Sequence, residues 1–297
     1  SLDVLLSDPN VNAVCICTPS YLHGRMAIDA ISAGKSVLIE KPIALSLEEC
    51  DLIETLAREK NVQVGVVSQL RFSPVFSKVY RALEQGLLGR QTRIDLYMKY
   101  FRTQEYYDNG GWRGTADKDG GGALMNQGIH GVDLMRYLGG AVKSIYAISS
   151  TLAHDIEVED TLSAVLNFKN GAIGVIEAST ADWPGQPRRI ELNGESGLIT
   201  IEEDRIVDWR IENETGFMRF NETSGKSGSH NDPSKISNIG HEKQIENFVD
   251  ALHGDAELLV GVSDGREALK LVLAAYKSAA TGLPVDLDEF GKRRNEL

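Results

Sequence analysis

Val11-Asn-Ala-Val-Cys-Ile-Cys17, Ser36-Val-Leu-Ile39 and Val62-Gln-Val-Gly-Val-Val67 are short apolar runs separated by two stretches of helical periodicity. Runs of this kind, apolar without alternation, are expected of strands buried on both faces. Between the first two, Leu22, Met26, Ala30 and Ile31 recur at helical spacing and Gly34 supplies a stop. Between the second and third, Ser46 and Glu49 have capping-box spacing and open a helix with Cys50, Ile53, Leu56 and Ala57 inward. Strand, helix, strand, helix, strand with short connections predicts a right-handed parallel α/β sheet. Such sheets bind ligands beyond the carboxyl ends of their strands. Thr18-Pro19 and Glu40-Lys41-Pro42 fall there. Lys41 reads either as a surface lysine in a turn or as a donor to a ligand hydroxyl or carbonyl, its pKa depressed beside a cationic ring.

Working outward, a helix over 74–88 leads away from this half. The pattern then changes. Thr92 to Tyr100 alternates, with Ile94, Leu96, Met98 and Tyr100 on one face, as in an antiparallel sheet covered on one side. Further strands are expected near 142–152, 160–168, 172–180, 189–193, 198–202 and 206–211, with Asn170-Gly171 as a tight hairpin. The second half is thus α+β, with an open antiparallel sheet of roughly six strands flanked by helices. A stretch over 221–238, rich in Ser, Gly and Asn, reads as a mobile loop. Two helices follow, the first with Ile245, Phe248, Val249 and Leu252 inward and the second over 263–281, before a frayed tail from Gly291.

Between the early strands of the second half lies Gly120-Gly-Gly-Ala-Leu-Met-Asn-Gln-Gly-Ile-His-Gly-Val-Asp133. Its three leading glycines allow a sharp turn and a close backbone approach. A helix follows, with Asn126, His130 and Asp133 at i, i+4 and i+7 on one face. An amide, an imidazole and a carboxylate so placed could orient and deprotonate a hydroxyl. The other reading makes His130 a hydrogen-bonded core histidine and Asp133 its polar surroundings.

Composition narrows the field. The 297 residues are 42% apolar and 25% charged, enough for one large or two ordinary domains. A net charge of −12 argues against nucleic-acid and anionic-membrane partners. No apolar run approaches the ~20 residues of a membrane span. Cys15, Cys17 and Cys50 show no metal-ligand spacing and suggest a reducing compartment, with Cys15 and Cys17 expected as small core residues. No metal is expected, which leaves metal-dependent hydrolysis a distant third reading.

With these residues placed, the chain resembles the glucose-fructose oxidoreductase and inositol dehydrogenase (Gfo/Idh/MocA) family. The likeness is carried by Cys17-Thr-Pro-Ser-Tyr-Leu-His23, Ala33-Gly-Lys-Ser-Val-Leu-Ile-Glu-Lys-Pro42, Gly120–Asp133, Gly194-Glu-Ser-Gly197, His241-x-x-Gln244 and Gly265-Arg-Glu-Ala-Leu-Lys-Leu-Val-Leu273. It implies a partial Rossmann-like domain over 1–72 and a substrate-binding and oligomerisation domain over 73–290, with the 263–281 helix packing back on the first. It also implies NAD or NADP as cofactor, held by Thr18, Pro19, His23, Glu40, Lys41 and Pro42. The substrate would be a sugar, cyclic polyol or sugar derivative, with Lys41 and His130 catalytic and Asn126, Arg71, Trp112, His241 and Gln69 touching it. A cytoplasmic homodimer or homotetramer joined through the antiparallel sheet is implied as well.

Two departures qualify this. Many family members carry aspartate where Asn126 stands, and an amide cannot raise the basicity of His130 as a carboxylate would. No Gly-x-Gly-x-x-Gly occurs, so the phosphate loop and the ribose-binding acid are expected upstream of this chain's start. The rival to a dehydrogenase is a catalytically silent ligand-binding or sensor protein of the same fold.

Overall fold

The computed structural model describes residues 1–212 and 238–292. The expected mobile loop over 221–238 therefore lies outside the described residues except for Asn238, as does the expected tail beyond 292.

The first half runs α1 (Leu2–Ser7), β1 (Ala13–Ile16), α2 (His23–Ser32), β2 (Ser36–Ile39), α3 (Leu47–Lys60) and β3 (Val64–Val66). The three strands form a parallel sheet in the order β1-β2-β3, with Val14 opposite Val37 and Leu38 opposite Gly65. Every residue of β2 is buried, as its unbroken apolar run predicts. Half of the capping box forms: Ser46 Oγ accepts the Glu49 amide at 3.2 Å, while the Glu49 carboxylate accepts from the Ser46 hydroxyl at 3.2 Å and from Leu45 N at 3.4 Å rather than from Ser46 N. β1 differs from expectation. Val14 and Ile16 are buried, whereas Cys15 and Cys17 are exposed free thiols rather than core residues. The cause is an uncovered face: the cluster of Leu38, Val67 and Phe248 covers β2 and β3 there and leaves the cysteines of β1 beyond it.

The second half contains α4 (Pro74–Glu84), β4 (Gln91–Lys99), α5 (Gln104–Asp108), a π-turn over Ala123–Gly128 and α6 (Ile129–Gly139). After these come β5 (Val142–Ser150), β6 (Thr161–Phe168), β7 (Ile173–Ser179), β8 (Arg189–Gly194), β9 (Gly197–Glu202) and β10 (Arg205–Ile211). The chain ends with α7 (Ile239–His253), α8 (Val262–Thr281) and β11 (Val285–Asp286). The open sheet has eight strands in the order β10-β9-β8-β4-β7-β6-β5-β11. It is larger than the six strands expected, and β4 pairs with β7 in parallel. Alternation reveals which face of a strand is buried but not its neighbour. Here the chain travels through α5, α6, β5 and β6 before β7 returns beside β4 in the same direction, a crossover that parallel pairing requires. The inward faces carry Ile94, Leu96, Met98, Leu162, Leu166 and Ile176, all buried. α6 packs on β4, and α8 packs on β5, α6, β3 and α3. Helix α8 thereby ties the two sheets together.

Helix α7 buries a different stripe from the one its periodicity suggested. Gln244, Phe248 and Ala251 face inward, while Ile245 and Val249 are exposed. Gln244 explains the rotation. Its amide donates to Val66 O at 2.7 Å and accepts from Ser68 N at 2.9 Å, so a polar side chain is drawn inward to complete the frayed end of β3.

Candidate active site

The carboxyl ends of β1, β2 and β3 open toward the π-turn and the start of α6. At the end of β2 the Lys41–Pro42 peptide is cis. Lys41 Nζ reaches across to donate to Asn126 O at 2.7 Å. Lys41, Pro42, Val67, Ser68, His130 and Asp133 line one cavity. The two residues expected to be catalytic are therefore brought together from positions far apart in the chain. Burial lowers the pKa of the Lys41 ammonium, while the carboxylates of Glu40 and Asp119 oppose that shift. Burial first, then the positive charges of Lys41, Arg188 and His241, hold the His130 imidazole well below its usual value. A neutral His130 beside a cationic Lys41 can accept a proton from a hydroxyl whose oxygen the ammonium holds.

The geometry of the π-turn is set by a buried acid that sequence reading passed over. Glu159, between β5 and β6, accepts from Gly122 N at 2.8 Å and Leu124 N at 2.9 Å. Tyr276 of α8 donates its hydroxyl to the same carboxylate at 2.8 Å and accepts from Gly122 N and Met125 N. Two side chains thus satisfy, through four hydrogen bonds, three of the amides that a helix start leaves free. Gly122 has no alternative here, because a Cβ would run into the backbone carbonyl of Glu159. The helix expected through 124–138 accordingly begins as a π-turn and becomes α-helical only at Ile129. π-turns of this kind recur at functional sites.

Asn126 stands where a carboxylate was expected, and the structure puts a carboxylate next to it. Asn126 Nδ2 donates to Asp119 Oδ1 at 2.7 Å, and Asp119 Oδ2 accepts from Gly114 N at 3.0 Å. Asp119 is 1% exposed, and burial raises its pKa. Its charge acts on Lys41. It lies in a loop without periodicity, so nothing in the sequence marked it. Asn126 Oδ1 also accepts from Gln127, leaving one N–H and one lone pair of the amide for a ligand.

Two expected contacts are corrected. Arg71 does not face the cavity as a free donor. Its Nε donates to Asp133 at 2.8 Å and its Nη1 to Asp264 at 2.8 Å, and its plane lies 4.8 Å from the Tyr137 ring centroid. That pairing also removes Asp133 from the hydroxyl-orienting face suggested by its spacing. His23 is 1% exposed, with Nδ1 2.7 Å from Pro42 O and Nε2 2.7 Å from Thr18 O. It links the ends of β1 and β2 and has no ring nitrogen left for a cofactor.

The remaining positions divide. Thr18 and Gln69 follow β1 and β3, and Thr18 Oγ1 and Gln69 Oε1 are buried with no hydrogen-bond partner among the described residues. The ends of β1 and β3 therefore each offer a polar atom in search of a partner, and Lys41 after β2, bonded to Asn126 O, has further N–H donors, which fits a polar ligand laid across them. Pro19 and Glu40 flank these ends, both partly exposed, and Glu40 accepts from Lys41 N at 3.1 Å. His241 sits at the start of α7, partly exposed, within electrostatic reach of His130. Trp112 is partly exposed and stacks with Arg113. No group of His, Cys, Asp and Glu suited to a metal occurs among the described residues.

A parallel α/β sheet with a lysine and a histidine converging at its strand ends, joined to an open sheet, is the architecture of a two-part dehydrogenase. Comparison with known proteins gives the family. Residues 1–68 match "Oxidoreductase family, NAD-binding Rossmann fold", and residues 76–200 match "GFO/IDH/MocA C-terminal domain". The chain belongs to the Gfo/Idh/MocA family of oxidoreductases.

It is similar to the scyllo-inositol 2-dehydrogenase (NAD(+)) of Bacillus subtilis, at 29% identity over 96% of this chain and 80% of that protein. It is similar also to the myo-inositol 2-dehydrogenase of Thermotoga maritima, at 27% identity over 96% and 82%. Among solved structures, the WlbA dehydrogenase of Bordetella pertussis in complex with NADH and UDP-GlcNAcA superposes with a TM-score of 0.84, at 33% identity over 96% of this chain and 82% of that one.

Proposed function

We propose that this chain is an NAD-dependent oxidoreductase acting on the hydroxyl-bearing carbon of a sugar, cyclic polyol or sugar derivative. The observation that carries the reading is the convergence of Lys41 and His130 on one cavity at the carboxyl ends of a parallel sheet. Bound nicotinamide supplies the hydride acceptor. Thr18, Pro19, Glu40, Lys41 and Pro42 are the residues proposed to hold the cofactor, and 1–72 the part of the chain that carries it. Residues 73–290 are proposed to hold the substrate.

In the oxidative direction the O–H bond breaks as His130 takes the proton. A bound nicotinamide would take the carbon-bound hydrogen with its electron pair, leaving the C–O single bond a carbonyl. Lys41 donates to that oxygen and stabilises the negative charge it gathers before the hydride has gone. Asn126, Gln69 and His241 are proposed to position the other hydroxyls. Holding hydroxyl, base and acceptor together supplies much of the acceleration.

Calorimetric titration with NAD and NADP tests the cofactor assignment directly. Saturable heat with either supports it, and none with both would refute it. No described helix is long and apolar enough to cross a membrane, and a cytoplasmic site is proposed from the exposed free thiols of Cys15 and Cys17. The outer face of β5–β7 exposes Tyr146, Ile148, Val165 and Ile173. Apolar side chains so grouped fit pairing with a second copy of this chain into a homodimer or homotetramer. Light scattering of Val165→Glu, expected to shift toward monomer, tests that pairing.

A further inference from the structure

The loop between α5 and the π-turn carries a guanidinium held by stacking, with no acid paired to it among the described residues. Arg113 lies 4.6 Å above the Tyr106 ring centroid and 5.3 Å from that of Trp112. Its stem and Nη1 press against Gly110, where a Cβ would clash with them. Three neighbours thus fix the plane of the fork. Tyr106 accepts from Gln127 at 3.1 Å, and Gln127 in turn donates to Asn126. The stack therefore stands two side chains from the residue that Lys41 leans on. The charge of Arg113 also acts on Lys41, Asp119 and Tyr106.

Two other arginines near the cleft have acids of their own. Arg71 has Asp133 and Asp264, and Arg188 has Glu203 and Asp204. Arg113 has no ion pair with any described residue, and Asp119 is occupied by Asn126 and Gly114. A half-buried, pre-oriented guanidinium without a counter-ion leaves its outward donors to water or to an anionic ligand. Its planar fork matches a carboxylate or a phosphoryl group.

We propose that Arg113 is an anion receptor, stacked on Tyr106 and Trp112, which selects substrates carrying a carboxylate or phosphoryl group a few bonds from the carbon that reacts. The inference rests on the oxidoreductase reading above and deepens it, dividing acidic sugar derivatives from neutral sugars and inositols. Trp112 then acts chiefly by holding Arg113.

The test compares Arg113→Met, which keeps the stacked stem and removes the charge, with Arg113→Lys, which keeps charge without the fork. Calorimetry and steady-state kinetics use three probes: a free hexuronic acid, a nucleoside-diphosphate hexose without a carboxylate, and a neutral cyclic polyol. We expect Arg113→Met to weaken binding and raise KM roughly 10- to 100-fold for one or both anionic probes with kcat little changed. Arg113→Lys should recover part of that loss, and the polyol should be unaffected. A loss confined to the hexuronic acid identifies a carboxylate as the anion, and one confined to the nucleotide sugar a phosphoryl group. Equal behaviour of all three proteins toward the anionic probes, or a wild type that prefers the polyol, overturns the proposal. Arg113-dependent binding of an anionic probe without turnover of any substrate would leave the receptor standing and refute the oxidoreductase reading instead.

Discussion

Glu159→Gln isolates the buried carboxylate that shapes the π-turn. In the native protein Oε2 accepts from Gly122 N, and Oε1 accepts from Leu124 N and the Tyr276 hydroxyl. Glutamine offers one oxygen where glutamate offers two, and its NH2 cannot accept. Whichever way the amide is turned, at least one buried donor faces another donor. An unsatisfied buried N–H costs about 1–3 kcal/mol, and the bonds that survive lose the strengthening that ionisation gives. The sum is a loss of roughly 2–4 kcal/mol, to be read from urea denaturation followed by tryptophan fluorescence and by circular dichroism, with coincident curves required. Tyr276→Phe removes a hydroxyl from the same network. The two losses should be less than additive in the double variant, because they break one set of contacts. Because Asn126 O, the acceptor for Lys41, belongs to this turn, kcat should fall with stability in both variants. A loss of under about 0.5 kcal/mol in Glu159→Gln would refute the network as the cause of the turn.

Further outcomes follow from the same geometry. Lys41→Met should reduce kcat by roughly 100- to 10,000-fold while calorimetric substrate binding persists, as for removal of a charge-stabilising or proton-handling group. Asp119→Asn withdraws a negative charge that supports the Lys41 ammonium, so the alkaline limb of the kcat/KM profile should move to lower pH, and an unmoved limb would exclude the coupling. The folded-state pKa of His130 lies below the unfolded value of ~6.5. The unfolded chain therefore takes the proton first, and the stability His130 contributes is complete above that pH. It falls by up to about 1.4 kcal/mol per pH unit as the pH drops from there toward the folded pKa. Urea midpoints of wild type and His130→Gln measured from pH 7 downward should show the shallower decline in the variant.

Much of this was legible in the chain because one principle governed each stretch. Apolar runs of strand length identified β1 to β3, and alternation assigned the buried face of β4. Sequence reading was less reliable wherever two demands met in one residue. Gln244 turned α7 away from its best apolar stripe because the last amide and carbonyl of β3 needed partners. Cys15 and Cys17 alternate with core residues on a strand whose second face is only partly covered. Asp133 was read from helical spacing and Arg71 from family resemblance, and neither signal shows that the two side chains pair with each other. Glu159 was invisible for the converse reason, since its partners Gly122, Leu124 and Tyr276 lie dozens of residues away, and Asp119 and Arg113 sit in a loop with no period to read. That Lys41 and His130 share one cavity was legible since Lys41 ends a strand and His130 lies on a patterned helix.

The central claim is hydride transfer from a substrate carbon at the cavity shared by Lys41 and His130. It is tested most directly by following the near-ultraviolet absorbance of NADH when the chain, with NAD, meets sugars, cyclic polyols and sugar acids in turn. The account predicts absorbance that grows with at least one of them, slows when the reacting carbon carries deuterium, and vanishes in Lys41→Met. Calorimetric binding of NAD without absorbance from any substrate class, or turnover undiminished in Lys41→Met, would contradict it.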